Sequence, residues 1–136
     1  MTGKLLPLLL GAAAIAAAPA QAQPRERLSG EAELARALEG RVAGEPVNCV
    51  NLRTVRSSRV ISGTALLYDA GSVIYVNRPR AGAEQLDHWT AQVSRPFNNR
   101  LCSVDPVQLI DPTTGVFTGT VFLDEFVPYR RVRRGD

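Results

Sequence analysis

The sequence predicts an α+β domain, with an N-terminal helix packed on a small antiparallel β-sheet and a short helical insertion. Three observations point there. One segment near the start of the body repeats apolar residues at helical spacing. Most of the chain beyond that segment is strand-like, rich in Val, Ile, Thr, Tyr and Phe. Turn-forming residues separate successive strand-like runs with no crossover helix between them, which favours antiparallel pairing.

The chain opens "MTGKLLPLLLGAAAIAAAPAQAQ". Lys4 precedes an apolar run from Leu5 to Ala18, and Ala20, Gln21 and Ala22 form a small-residue cleavage motif. This is the pattern of a secretory signal peptide, residues 1–22. The run is shorter than the roughly 20 residues that span a bilayer, so no transmembrane segment is expected after cleavage. Periplasmic or secreted localisation is therefore expected. Residues 23–129 then read as a single α+β domain and residues 130–136 as a basic, disordered tail.

Within the body, "PRERLSGEAELARALEGRVAGEP" reads as the helix. Leu34, Leu38 and Val42 mark its buried stripe, Ser29 its N-cap, and Glu31 and Glu33 complement its dipole. Gly40 or Gly44, with Pro46, ends it. From Val47 the period changes. "VNCVNLRTV", "RVISGTALLYDA", "SVIYVNRP", "PVQLID" and "VFTGTVFLDEFVPY" read as strands, and "YDAGSV" and "DPTTGV" as hairpin connections. Between them "AGAEQLDHWTAQVSRPF" places Leu86, Trp89 and Val93 at the spacing of a short helix, with Trp89 on the core and His88 at its rim.

The formal net charge of +3 is unevenly distributed. Lys4 lies in the signal, and "RRVRRGD" holds four arginines and one aspartate. The body from Gln23 to Tyr129 has 11 arginines against 12 carboxylates, so a nucleic-acid surface is not expected. Weak contact of the arginine tail with an anionic surface is the one electrostatic partner suggested. Arg53, Arg56 and Arg59 fall on alternating faces of a strand and form no ready-made patch.

Two cysteines remain after cleavage, Cys49 and Cys102, in a compartment where disulfides persist. A bridge between them is expected. His88 is the chain's one histidine, and neither cysteine has a local feature that would make a thiolate, so Cys–His catalysis is not expected. Two cysteines and one histidine without metal-ligand spacing make no zinc site, and no cofactor-binding motif is present. Asp124 and Glu125 point to opposite faces as strand neighbours, and Asp105 and Asp111 read as turn formers.

"CVNLRTVRSSRVI", "VIYVNRP", "RLCSVDPVQLID" and "FLDEFVPY", in this order and spacing, resemble a family of short exported bacterial proteins classed as a domain of unknown function. The resemblance spans Cys49 to Tyr129 and implies no activity. Members of that family carry two further cysteines, at places that correspond to Ala81–Ala83 and Val121. Their joint absence implies that those two pair with each other, and Cys49 with Cys102. The resemblance also singles out Tyr75, Asn77, Arg78 and Asp105 for a site. The expected function is a non-enzymatic envelope binding or structural module, contacting an envelope protein or polymer. The alternative is a small-ligand-binding protein or enzyme with a cleft around Tyr75, Asn77, His88 and Asp105.

Overall fold

The computed structural model describes Gly3 and residues 28–133. Gly3 apart, the expected signal peptide lies outside the described residues, as do residues 134–136.

Helix α1 (Gly30–Ala37) begins where Ser29 Oγ accepts the Ala32 N–H, and Glu31 and Glu33 sit in its first turn. It stops sooner than the apolar stripe suggests. Leu38 caps it, and Gly40 takes φ +73°, a left-handed turn that costs glycine little. Val42 is therefore not on the helix. It is exposed on a strand, where ladder hydrogen bonds replace helical ones.

Ten strands come after it among the described residues: β1 (Arg41–Ala43), β2 (Cys49–Asn51), β3 (Ser57–Ile61), β4 (Ala65–Asp69), β5 (Val73–Asn77), β6 (Ala91–Val93), β7 (Arg100–Cys102), β8 (Pro106–Ile110), β9 (Phe117–Phe122) and β10 (Phe126–Arg131). All pairings are antiparallel, and the α+β reading holds at that level, but one expected sheet is three. A five-stranded sheet has the order β1-β10-β5-β4-β3, a three-stranded sheet β6-β8-β9, and a two-stranded sheet β2-β7. "YDAGSV" and "DPTTGV" are hairpin turns, joining β4 to β5 and β8 to β9. Two long apolar runs are each two strands. The first turns at Ser62–Thr64 and the second at Leu123–Glu125, because pairing β3 with β4 and bringing β10 beside β5 buries more than a longer strand would.

The five-stranded sheet has a core on each face. On one side Ile61, Ala65, Leu67, Ile74 and Val76 pack with Leu34 of α1. On the other, Val60, Leu66, Tyr68 and Phe126 meet Val50, Leu101, Val107, Leu109 and Val121 from the smaller sheets and Leu123 from the turn after β9. Alternation along each strand divides its residues between the two cores. Tyr68 lies in the larger one, edge-on to Phe126 with ring centroids 5.8 Å apart, and its hydroxyl donates to Gln92 Oε1 at 2.9 Å.

Burial pushes the Tyr68 phenol well above its ordinary range. The folded state thus holds this proton more tightly than the unfolded chain. The contribution is complete below about pH 10 and declines as pH rises beyond it. Urea midpoints measured from about pH 9 upward should fall, and Tyr68→Phe should flatten that decline. An identical alkaline decline in both proteins would remove Tyr68 as its source.

Two expectations are corrected here. "AGAEQLDHWTAQVSRPF" forms no α-helix. A 3₁₀ turn at Ala83–Gln85 buries Leu86, after which Trp89 is 48% exposed and Val93 lies on β6. The helical spacing of these three residues is coincidental, and pairing with β8 decides the outcome. The basic tail does not begin at Arg130, because Arg130 and Arg131 belong to β10 and pair with Val42 and Arg41.

Candidate functional site

Cys49 and Cys102 are bridged, with Cα atoms 4.0 Å apart and a sequence separation of 53. They stand directly opposite each other in the β2–β7 ladder. The Ser103 N–H donates to Asn48 O beside them, which makes Cys49–Cys102 a non-hydrogen-bonded pair whose side chains approach closely. The Cys102 N–H consequently points away from β2, and Asp105 Oδ2 accepts it at 2.7 Å. Asp105 thus shapes the turn just after the bridge.

The other singled-out residues do not converge. Tyr75 lies between Tyr68 and Pro128 on neighbouring strands and packs against the larger core. Asn77, fully buried, donates from Nδ2 to Asp124 O and accepts the Asp124 N–H on Oδ1 at 3.1 Å, closing the turn between β9 and β10. Arg78, the next residue, engages both carboxylate oxygens of Glu31 at 2.6 and 3.0 Å and ties the helix start to the end of β5. This hydrogen-bonded pairing holds the Glu31 carboxyl below the usual carboxylate range and raises Arg78. Both side chains are more than half exposed, so solvent weakens the pair. His88 Nδ1 lies 2.9 Å from Asp87 Oδ1, and Ser62 Oγ accepts the His88 backbone N–H.

Arg78, His88 and Asp105 line three separate depressions, and Tyr75 and Asn77 line none of the three. The expected cleft around Tyr75, Asn77, His88 and Asp105 is therefore absent as one cavity. Strand alternation turns the first two toward the larger core, while Asp105 sits in the turn after β7, beside the disulfide.

The largest of these depressions, about 310 Å³, opens on the outer face of the three-stranded sheet. Val93, Leu101 and Pro96 give it an apolar lining, and Arg95, Asp105 and Gln108 bring a cation, a carboxylate and an amide. Register extends this face across β8 to β9: Ala91, Ile110 and Phe117 form one row, and Val93, Gln108 and Thr120 the next. Pro106 and Phe122 form a third. Phe117 is 57% and Phe122 44% exposed, and Phe97 and Val104, on the segments flanking the cleft, are 92% and 72% exposed.

The two phenylalanines of β9 could not be placed from the sequence. They are five positions apart, and strict alternation would send them to opposite faces. A bulge where Leu109 faces Gly119 but Ile110 faces Phe117 shifts the phase and turns both to solvent. The outer edge of β9 is closed. Phe122 bridges Ala81, and Gln85 Oε1 accepts the Thr120 N–H at 3.1 Å. A Cβ at Gly119 would sit 2.0 Å from Gln85 Oε1, so a larger residue there would displace the Gln85 side chain from this position.

Chemically, the face combines apolar area with a few convergent polar groups. Among the described residues no group of three or more His, Cys, Asp or Glu side chains is placed to hold a metal ion, and no helix is long and apolar enough to cross a membrane. No family model, curated protein or solved structure matches the chain.

Proposed function

We propose that this chain is an exported, non-catalytic module, periplasmic or secreted, that binds an envelope protein through the outer face of its three-stranded sheet. The observation that carries this reading is the pair Phe117 and Phe122, turned to solvent on one sheet face beside the cleft. Exposed aromatic side chains on one sheet face, here on either side of the Gln108–Thr120 row, offer apolar area to a partner. Aromatic anchors rimmed by polar groups are the usual energetic centre of a protein interface. Export is supported by the apolar leader and by the disulfide, which persists in oxidising compartments. The non-catalytic reading is supported by how the polar candidates are spent: Asn77, Arg78 and Asp105 all bond to the scaffold.

The family likeness is part of the proposal. Ala81 is bridged to Phe122, and Ala83 packs against the cluster that contains Val121. The two places where that family carries its further cysteines are thus neighbours in this fold, which favours the resemblance.

Crosslinking in intact cells tests the reading. The protein should capture a discrete envelope partner, and Phe117→Asp with Phe122→Asp should abolish capture while leaving the urea midpoint close to wild type, since both side chains are exposed. Undiminished capture by the double variant would refute the assigned face. Reproducible turnover of an envelope substrate, lost on mutation of a cleft residue, would refute the non-catalytic reading.

A further inference from the structure

The segment "RPFNNR", Arg95 to Arg100, leads from β6 into β7 beside the cleft, and its backbone is held in an uncommon shape. Asn98 takes φ 56° and ψ 33°, and Asn99 takes φ 57°. No other non-glycine residue among the described residues has a positive φ. Two successive left-handed residues make a type I′ turn, a shape costly for most side chains and better tolerated by asparagine. Two hydrogen bonds secure it. The Arg100 N–H donates to Phe97 O across the turn, and the Leu52 N–H donates to Asn99 O at 2.8 Å, tying the turn to the chain just after β2. On the other side Pro96 has φ −73°, the value its ring imposes.

The residue fixed between these restraints is Phe97. It is 92% exposed, more than any other large apolar side chain among the described residues. Its ring therefore contributes no burial to the fold, while the turn holds its backbone in one position. Strained backbone of this kind clusters at binding sites. An aromatic side chain already mounted rigidly loses little further freedom on association. Arg95 and Pro96, just before it, line the cleft, and exposed Arg100 closes the turn opposite it. Asp105, the carboxylate that lines the same cleft, has one oxygen engaged by the Cys102 N–H.

We infer that Phe97 is an anchor that enters an apolar pocket, rimmed by carboxylates, on the envelope protein bound by the sheet face. The inference rests on the reading of that face as a protein-binding site and extends it across the cleft to the turn. Charge complementarity to Arg95 and Arg100 selects the acidic rim. A bilayer would also accept a phenyl ring and two cations. A fluid acyl layer, however, gains nothing from a ring held in a fixed position and cannot fill a concave cleft beside it. A preformed pocket gains from both.

Crosslinking in intact cells tests the anchor. Phe97→Ala should lower the captured fraction by about tenfold or more, as at other interface anchors, with an unchanged urea midpoint. Arg95→Glu with Arg100→Glu should also lower it, and Arg95→Lys with Arg100→Lys should retain most of it. The turn is tested by Asn99→Gly, which suits a left-handed position and should retain capture. Asn99→Val keeps Phe97 but disfavours the turn, and should lose capture. If the valine variant unfolds, Phe97→Ala decides alone, since its side chain supports nothing in the fold. Capture by Phe97→Ala equal to wild type would overturn the inference. The sheet-face reading would then stand by itself if Phe117→Asp with Phe122→Asp still abolished capture. No discrete partner for the wild type would overturn both. Phe97-dependent cosedimentation with protein-free vesicles of equal parts phosphatidylglycerol and phosphatidylcholine would also overturn the inference, assigning the ring to lipid.

Discussion

Replacing Cys49 and Cys102 together by alanine should lower the unfolding free energy by about 4 kcal/mol, the chain-entropy value for a loop of this length. The bridge closes 53 positions of sequence. The ladder it spans offers little else, since β2 and β7 pair over three residues each and form a two-stranded sheet of their own. A ladder that short is marginal even when a tight turn joins its strands. Here the intervening chain includes the β3–β4–β5 meander and β6, so closing the loop without a covalent link costs more. Val50 and Leu101, both nearly inaccessible, carry this sheet into the larger core. Loosening it should therefore be felt beyond the bridge.

Urea unfolding of the double variant and of the wild type would measure the effect, and amide exchange would locate it. Val50 and Leu101 should lose protection first, and Leu66 and Val76, in central strands of the five-stranded sheet, last. A loss below about 1 kcal/mol would show that the unfolded chain already holds β2 near β7. Against a total of about 5–15 kcal/mol for a domain of this size, the expected loss is a large fraction.

Asn77→Leu should cost about 3 kcal/mol, although the side chain is of similar size. The reason is the backbone of Asp124. Asn77 satisfies both its carbonyl and its N–H from a position with no solvent access, and a leucine would leave both groups to whatever water reaches the turn. Asn77→Asp discriminates further. It keeps an acceptor for the Asp124 N–H but loses the donor and sets a carboxylate against Asp124 O. Stability should fall at least as far at neutral pH and recover in part as the carboxyl is protonated. Were Asn77 a binding residue instead, both variants would unfold at wild-type urea concentrations.

This residue also shows how far the sequence could be read. "VIYVNRP" identifies a strand ending in a polar residue before a proline turn, and that is what β5 does. The alternation of the strand even states that Asn77 and Arg78 face opposite ways. What lies on either side was not legible. The partner of Asn77 is 47 positions along the chain in one direction, and that of Arg78 is 47 positions away in the other. Neither local period nor turn chemistry reports contacts at that range. The same holds for Trp89: its spacing from Leu86 and Val93 satisfies a helix, and only the presence of β8 beside residues 91–93 makes the segment a strand. Val42 failed for a related reason, because an apolar residue in phase with Leu34 and Leu38 had an edge strand open to it at β10.

By itself the sequence determined the α+β character of this protein, the start of its helix at Ser29, its two hairpin turns and the pairing of its cysteines. Each is set by local chemistry or by counting: a capping hydroxyl, a residue that tolerates a turn, and two thiols where bridges persist. Only the tertiary structure decided which surface could serve a function. The bulge that turns Phe117 and Phe122 to the same side and the scattering of Tyr75, Asn77, His88 and Asp105 both arise from register between strands far apart in the chain. Register results from burying one particular set of side chains across a sheet, and that choice depends on every strand together rather than on any one of them.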